Sequence, residues 1–159
     1  MLMIKFFRLF LFIIFGYFSM MISASANDVV MPDPDIAPLE VVDIQLTGLQ
    51  NNDNPKSDFG IRQTWAFAHP VNRRMTGPYP RFAQMIRSPS YIEMIDHATH
   101  SITLGMQGEG WRQFDVLMET KGGNVLFFSW VVEKVTDGEY QDCWMTTAVS
   151  APSPAGQGS

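Results

Sequence analysis

Ser101-Ile102-Thr103-Leu104-Gly105-Met106-Gln107-Gly108-Glu109-Gly110-Trp111-Arg112-Gln113-Phe114-Asp115-Val116-Leu117-Met118-Glu119 is where the chain changes its period. Ile102, Leu104 and Met106 alternate with small or polar residues. So do Phe114, Val116 and Met118, which are separated by Asp115 and Leu117. Alternation of this kind puts one set of side chains on one face of a strand. Gly108-Glu109-Gly110 supplies the turn between the two runs. Downstream, Gly122-Gly123-Asn124 turns the chain again. Val125–Val135 is long, apolar and rich in β-branched and aromatic residues. Asp137-Gly138 is a hairpin signal, and Cys143–Val149 reads as a last strand. The C-terminal half is therefore an antiparallel meander.

Upstream of this stretch the period is helical. Pro38 suits a first helical turn, where its missing N–H costs nothing. Leu39, Val42, Leu46 and Leu49 share one face. Asn51-Asn52-Asp53-Asn54-Pro55 ends that helix, and Asp58 is expected to cap a second one. Ile61, Trp65 and Ala68 form its stripe, and Pro70 is expected to stop it. A turn at Thr76-Gly77-Pro78 leads to a third helix that buries Phe82, Met85 and Ile86 and ends before Pro89. Ser90 with Glu93 fits a capping box for one or two more turns, up to Asp96. Helices first and a meander afterwards predict an α+β domain, with N-terminal helices packed on a curved antiparallel sheet. Neither layer can bury its apolar side alone.

The ends read differently. Lys5 and Arg8 are the only charges among the first 26 residues, Leu9–Ile22 carries no charge, and Ala24-Ser25-Ala26 offers small residues for cleavage. That is a signal peptide spanning residues 1–26 and too short to span a bilayer comfortably. The expected location is periplasmic or secreted, with membrane contact only during export. Residues 27–37 carry two prolines and three acids and read as a flexible leader; 151–159 have no large side chain and read as an unstructured tail. The folded domain is then 38–150.

Charge narrows the partners. Without Lys5 and Arg8, nine of the eleven basic residues remain against sixteen acids. No segment gathers Lys and Arg, so a nucleic-acid partner is not expected. Cys143 is the single cysteine, so a monomer forms no disulfide, and an apolar strand context predicts a buried thiol.

Four strings carry a resemblance. They are Asn52-Asp53-x-Pro55-x-x-Asp58-x-Gly60-Ile61; Phe67-Ala68-x-Pro70-x-Asn72-Arg73-x-x-Thr76-Gly77-Pro78-x-x-Arg81-Phe82; Arg87-Ser88-Pro89-x-Tyr91; and Tyr140-x-x-Cys143-Trp144-Met145-Thr146. Together they resemble a family of uncharacterised exported bacterial proteins, a domain of unknown function. The element order resembles the cone-shaped fold of nuclear transport factor two. The resemblance implies fold and compartment but no mechanism.

Candidate chemistry is sparse. Asp96, His97 and His100 form the one titratable constellation, suited to acid–base work or to a metal. The third ligand at recognisable spacing is missing, so no metal site is expected. Asn72 and Arg73 beside Thr76-Gly77-Pro78 could hold an anion, or else secure the backbone ends of two helices. Asp115, Ser129, Glu133 and Thr146 are polar positions inside apolar strands. The aromatic residues Trp65, Trp111, Trp130, Trp144, Phe67, Phe82 and Phe127 are expected to build the core. No phosphate loop, nucleophile elbow or Cys-x-x-Cys occurs, and no cofactor is implied. Two functions are consistent with this pattern. One is a non-catalytic domain that binds an apolar small molecule or an envelope protein. The other is a small hydrolase, isomerase or dehydratase using Asp96, His97 or a strand carboxylate in the cone cavity.

Overall fold

A computed structural model of the chain describes residues 28–157; the expected signal peptide lies outside these residues. Four helices precede a five-stranded antiparallel sheet, which is the α+β order expected. The helices are α1 (Pro38–Gln50), α2 (Phe59–Ala66), α3 (Pro70–Thr76) and α4 (Tyr79–Ile86). A single 3₁₀ turn (Ile92–Met94) leads into the sheet. The strands are β1 (Thr99–Gly108), β2 (Trp111–Glu119), β3 (Asn124–Lys134), β4 (Trp144–Val149) and β5 (Ser153–Gln157). The order is β1-β2-β3-β4, with β5 pairing the other half of β3. No helix among the described residues is long and apolar enough to cross a membrane.

The predicted alternation sets the layers. Phe114, Val116 and Met118 of β2 and Phe128, Trp130 and Val132 of β3 turn one face of the sheet toward α1, which touches β1, β3 and β4. Val42, Leu46 and Leu49 of α1 are fully buried against it, each stabilising the fold by about 1.5–3 kcal/mol. Leu39, placed on the same stripe by its spacing, is 48% exposed and lines an open groove with His100 and Ile102 of β1. Leu104 and Met106 of β1 alternate as read, yet they too lie in solvent. Trp130, Phe67 and Phe82 join the core, whereas Trp111 and Phe127 are half-buried on the opposite face. Cys143 is buried just before β4, in a small second cluster with Val135, Met145 and Tyr140.

Most residues of the 52–61 string hold a loop together. The Asn52 carbonyl accepts from the Gly60 N–H, and its side-chain oxygen accepts from the Ile61 N–H at 3.1 Å. Asp53 accepts from the Asp58 N–H and from the Asn52 amide. Asp58 starts α2, but with a left-handed backbone (φ 59°) and no side-chain cap; its carboxylate instead pairs with Arg87 from the end of α4. Gly60 lets α1 and α2 cross closely: a Cβ there would lie 2.1 Å from the Gly48 carbonyl oxygen.

Five local readings are corrected. Pro70 opens α3 rather than closing α2; α2 ends at Ala66, and His69 caps the new helix by accepting the Val71 N–H on Nδ1. The residues between the expected stop at Pro70 and the turn at Thr76-Gly77-Pro78, given no element by the sequence, form a helix, because Pro at a first helical position favours starting as well as stopping. Ser90 and Glu93 form no capping box: the segment is only one 3₁₀ turn, with no side-chain cap. The leader is tied down: Val30 and the Gln63 amide exchange two hydrogen bonds of 2.7 and 2.9 Å, and Val29 and Ile36 pack on the core. The tail read at 151–159 supplies β5. β4 pairs only with Trp130–Lys134, so the Asn124–Phe127 half of β3 has unpaired backbone groups. Pairing with them needs main chain, not large side chains.

Candidate functional site

Between the helices and the sheet lies a cavity of about 190 Å³. α1 contributes Gln45, α3 Asn72 and Thr76, α4 Phe82, Met85 and Ile86, and the sheet Trp130, Thr146, Ala148 and Val149; Tyr91 and Met94 come from the chain between α4 and β1. Its polar floor is a triad of groups far apart in sequence. The Trp130 indole N–H donates to Gln45 Oε1 and to Thr146 Oγ1, both at 3.1 Å. The Thr146 hydroxyl donates to Gln45 Oε1 at 2.6 Å, and Gln45 Nε2 donates to the Thr64 carbonyl at 3.0 Å. An indole N–H can only donate, which fixes the amide with its oxygen toward Trp130. The floor thereby satisfies its own polar groups, and the walls around it are mainly apolar, with Asn72, Thr76 and Tyr91 among them.

None of the fourteen lining residues is an acid, a Lys, an Arg, a His or a Cys. The sequence placed four polar strand residues as candidates for this space, and one of them arrives. Thr146 lines it; Asp115 and Ser129 sit opposite one another in the β2–β3 register on the other face, and Glu133 is exposed.

Asn72 lines the cavity and donates to the Thr146 carbonyl at 3.2 Å, which docks α3 on β4. Arg73 turns away from it. Its Nη2 donates to the carbonyls of Trp65 (3.1 Å) and Ala66 (2.9 Å), and its guanidinium lies over the rings of Trp65 and Tyr140, 5.1 and 5.4 Å from their centroids. The last turn of a helix leaves carbonyls without intrahelical donors, and Arg73 supplies them for α2.

His97 and His100 do meet, outside the cavity. The Met94 carbonyl can only accept, so His97 Nδ1 carries the hydrogen of the 2.8 Å bond to it. His97 Nε2 then accepts from His100 Nδ1–H at 2.7 Å, and His100 Nε2 faces the Asp43 carboxylate of α1 at 3.8 Å. Burial pushes the His97 imidazole below its ordinary value; the Met94 carbonyl opposes that shift, and His100 reinforces it. Asp96 does not join them: it has a left-handed backbone, and its carboxylate faces Lys121 at 3.8 Å. Among the described residues, no group of three His, Cys, Asp or Glu side chains is placed to hold a metal ion.

Two participants escaped the sequence reading. Gln45 interrupts the α1 stripe beside Val42, Leu46 and Leu49, and a polar residue on a buried face signals a specific partner. His69, whose imidazole burial holds below its usual value, was hidden by the reading of Pro70 as a helix end. No family model, curated protein or solved structure matches the chain.

Proposed function

We propose that this protein is an exported, non-catalytic domain that binds a small, neutral, mainly apolar molecule in the cavity between α1, α4 and the sheet. The observation that carries this reading is the lining: mainly apolar walls without a charged side chain, over a polar floor whose hydrogen bonds are already internal. A charged ligand would find no opposite charge there and would lose its hydration. Size narrows the ligand class. An apolar cavity of roughly 150 Å³ accepts benzene, so about 190 Å³ suits a single ring with a short substituent and excludes a long acyl chain. The Asn72 and Tyr91 side chains supply polar atoms for one hydroxyl or carbonyl on such a molecule. The basic head, apolar run and Ala24-Ser25-Ala26 of the N-terminus support export, and with it a periplasmic or secreted location and the exported-family reading.

The test uses toluene and benzoate as probes, with methyl resonances and thermal unfolding as readouts. Toluene is expected to shift the Met94 and Val149 methyl signals and raise the melting temperature; benzoate is not. Ala148→Phe, at an exposed position of the lining, should abolish the toluene response without lowering the ligand-free melting temperature. A toluene response absent from the wild type, or matched by benzoate, refutes the proposal.

A further inference from the structure

A chain of hydrogen bonds runs outward from Met94 and ends without a donor. The Met94 carbonyl takes the hydrogen of His97 Nδ1, and His97 Nε2 takes that of His100 Nδ1. The neutral His100 ring is left with a bare lone pair on Nε2. Facing it at 3.8 Å is the Asp43 carboxylate, which also only accepts. The His100 side chain is 11% exposed, which limits what water can supply. Glu40, one turn before Asp43 on α1, lines the same groove, with Leu39 and Ile102 as its apolar sides. Glu40 and Asp43 are exposed, and neither pairs with a Lys or Arg among the described residues. Three acceptors therefore share one groove, and no residue lining it has a free side-chain N–H or O–H to give them.

The groove lies along an unpaired strand edge. β1 has a strand on one side only among the described residues. It is ten residues long, with no proline and no Lys, Arg, Asp or Glu. Such an edge presents a row of free main-chain N–H and C=O groups unless charge, proline or a covering segment protects it. A bulge between Leu104 and Gln107 leaves Thr99–Leu104 regular. The sheet's other edges are closed. Main chain covers β4, where the Thr146 N–H donates to the Phe67 carbonyl and the His69 N–H to the Thr146 carbonyl, both at 2.8 Å. β5 contains Pro154, which cannot donate to a further strand.

We infer that β1 is a docking edge for an extended basic segment of a partner protein, which pairs with β1 and sets a basic side chain among His100, Asp43 and Glu40. The strand supplies main-chain partners along the edge, and the basic side chain supplies the donors and the positive charge that the groove lacks. Alternation sets the pattern the segment must carry. Every second residue faces the helix-covered side, where His100, Ile102 and Leu104 of β1 point. A basic residue there meets the acids of α1, and an apolar residue two or four places along meets Leu104, which is 46% exposed. The residues between lie beside Thr99, Ser101 and Thr103, which are small and polar and select little. Charge decides against a second copy: its β1 brings no cation to answer Glu40 and Asp43, and it adds two more acids of its own.

The test uses a capped, dye-labelled heptapeptide with lysine at its centre, leucine two residues to either side and threonine elsewhere. This pattern reads the same in either strand direction. Anisotropy should show binding by about 1 mM peptide, weakening as salt rises. Norleucine in place of lysine removes the ammonium and should raise the dissociation constant at least about tenfold. Glu40→Gln combined with Asp43→Asn should bring the lysine peptide down to the norleucine level. Both side chains are exposed, so the variant should stay folded by circular dichroism. In the complex, alternate amides of Thr99–Leu104 should gain protection from hydrogen exchange. No binding by about 1 mM, equal affinity for the norleucine peptide, or a bound peptide that leaves the β1 amides unprotected overturns the proposal. So does acetyl-lysine amide binding as tightly as the heptapeptide, which would mark a small-amine site. So do β1 amides that become protected with protein concentration alone, which would give the edge to a second copy.

Discussion

Replacing Arg73 by alanine removes the group that finishes α2. Its Nη2 donates to two carbonyls of the last turn, at 2.9 Å to Ala66 and 3.1 Å to Trp65. A hydrogen bond from a charged donor contributes about 1.5–3 kcal/mol. The Ala66 bond counts near the lower end of that range, since the side chain is partly exposed and water can replace it. The Trp65 bond counts for less again, because that carbonyl also accepts from the Ala68 N–H. Stacking over Trp65 and Tyr140 adds about 0.5 kcal/mol each at a partly wet site. The expected loss is about 2–3 kcal/mol. For a urea slope near 1.5 kcal/mol per molar, the unfolding midpoint then falls by roughly 1.3–2 M. Arg73→Lys should restore only about half, because an ammonium brings no flat guanidinium to lie over the Trp65 and Tyr140 rings. Arg74→Ala, at an exposed position, should stay within about 0.5 kcal/mol of wild type. If Arg73→Ala unfolds with wild type, or Arg73→Lys is indistinguishable from wild type, the account of α2 termination is wrong.

Two further outcomes follow from the same geometry. Gly60→Ala should cost about 3 kcal/mol or more, since its Cβ would strike the Gly48 carbonyl and Leu49 Cα, which are backbone atoms and cannot swing aside. Gly122→Ala, which would meet only the Thr120 hydroxyl at 3.7 Å, should be close to neutral by the same thermal melts. Stability should also fall as pH drops. The imidazoles of His97 and His69 have folded values below their unfolded ones near 6.5, so the unfolded chain takes up more protons and gains population as pH falls through 6.5 and below. Urea midpoints should be lower at pH 5.5 than at 7.5, with a shallower dependence in His97→Gln; equal slopes would contradict this.

The layers were legible because they rest on side-chain period. The change from three-and-four spacing to alternation at Ser101 records which faces turn inward, although Leu39, Leu104 and Met106 on those stripes lie exposed at the edge of the layer, and the Gly-rich turns sit where the strands end. Element ends were harder. Pro70 reads equally as a stop or a start, and only the left-over carbonyls of α2 and the His69 cap decide between them. β5 left no trace in apolar pattern because its partner is the backbone of β3. The cavity was half legible. Thr146 and Asn72 drew attention as polar residues in unusual places, but the triad depends on a pairing across 101 positions that no local spacing records. Arg73 was legible in part: its donors were expected on an anion or at the ends of two helices, and they go to the last carbonyls of α2 alone. The two histidines stand three apart in the sequence and meet in the structure, yet the Asp43 carboxylate that faces His100 lies on α1, some fifty residues upstream.

The Gln45–Thr146–Trp130 triad also bears on how the chain settles. The hairpins β1–β2 and β2–β3 close over short turns, so their pairing is local in sequence. The bond from Gln45 to Thr146 closes a loop of about a hundred residues, so its entropic cost is met only once α1 has already docked. It therefore acts late, as a key in a lock. An α1 seated one position out of phase would bury the Gln45 amide with no acceptor and leave the Trp130 indole facing hydrocarbon, a penalty of about 1–3 kcal/mol for each orphaned group. Apolar packing alone tolerates several azimuths of a helix on a sheet; this buried amide selects one.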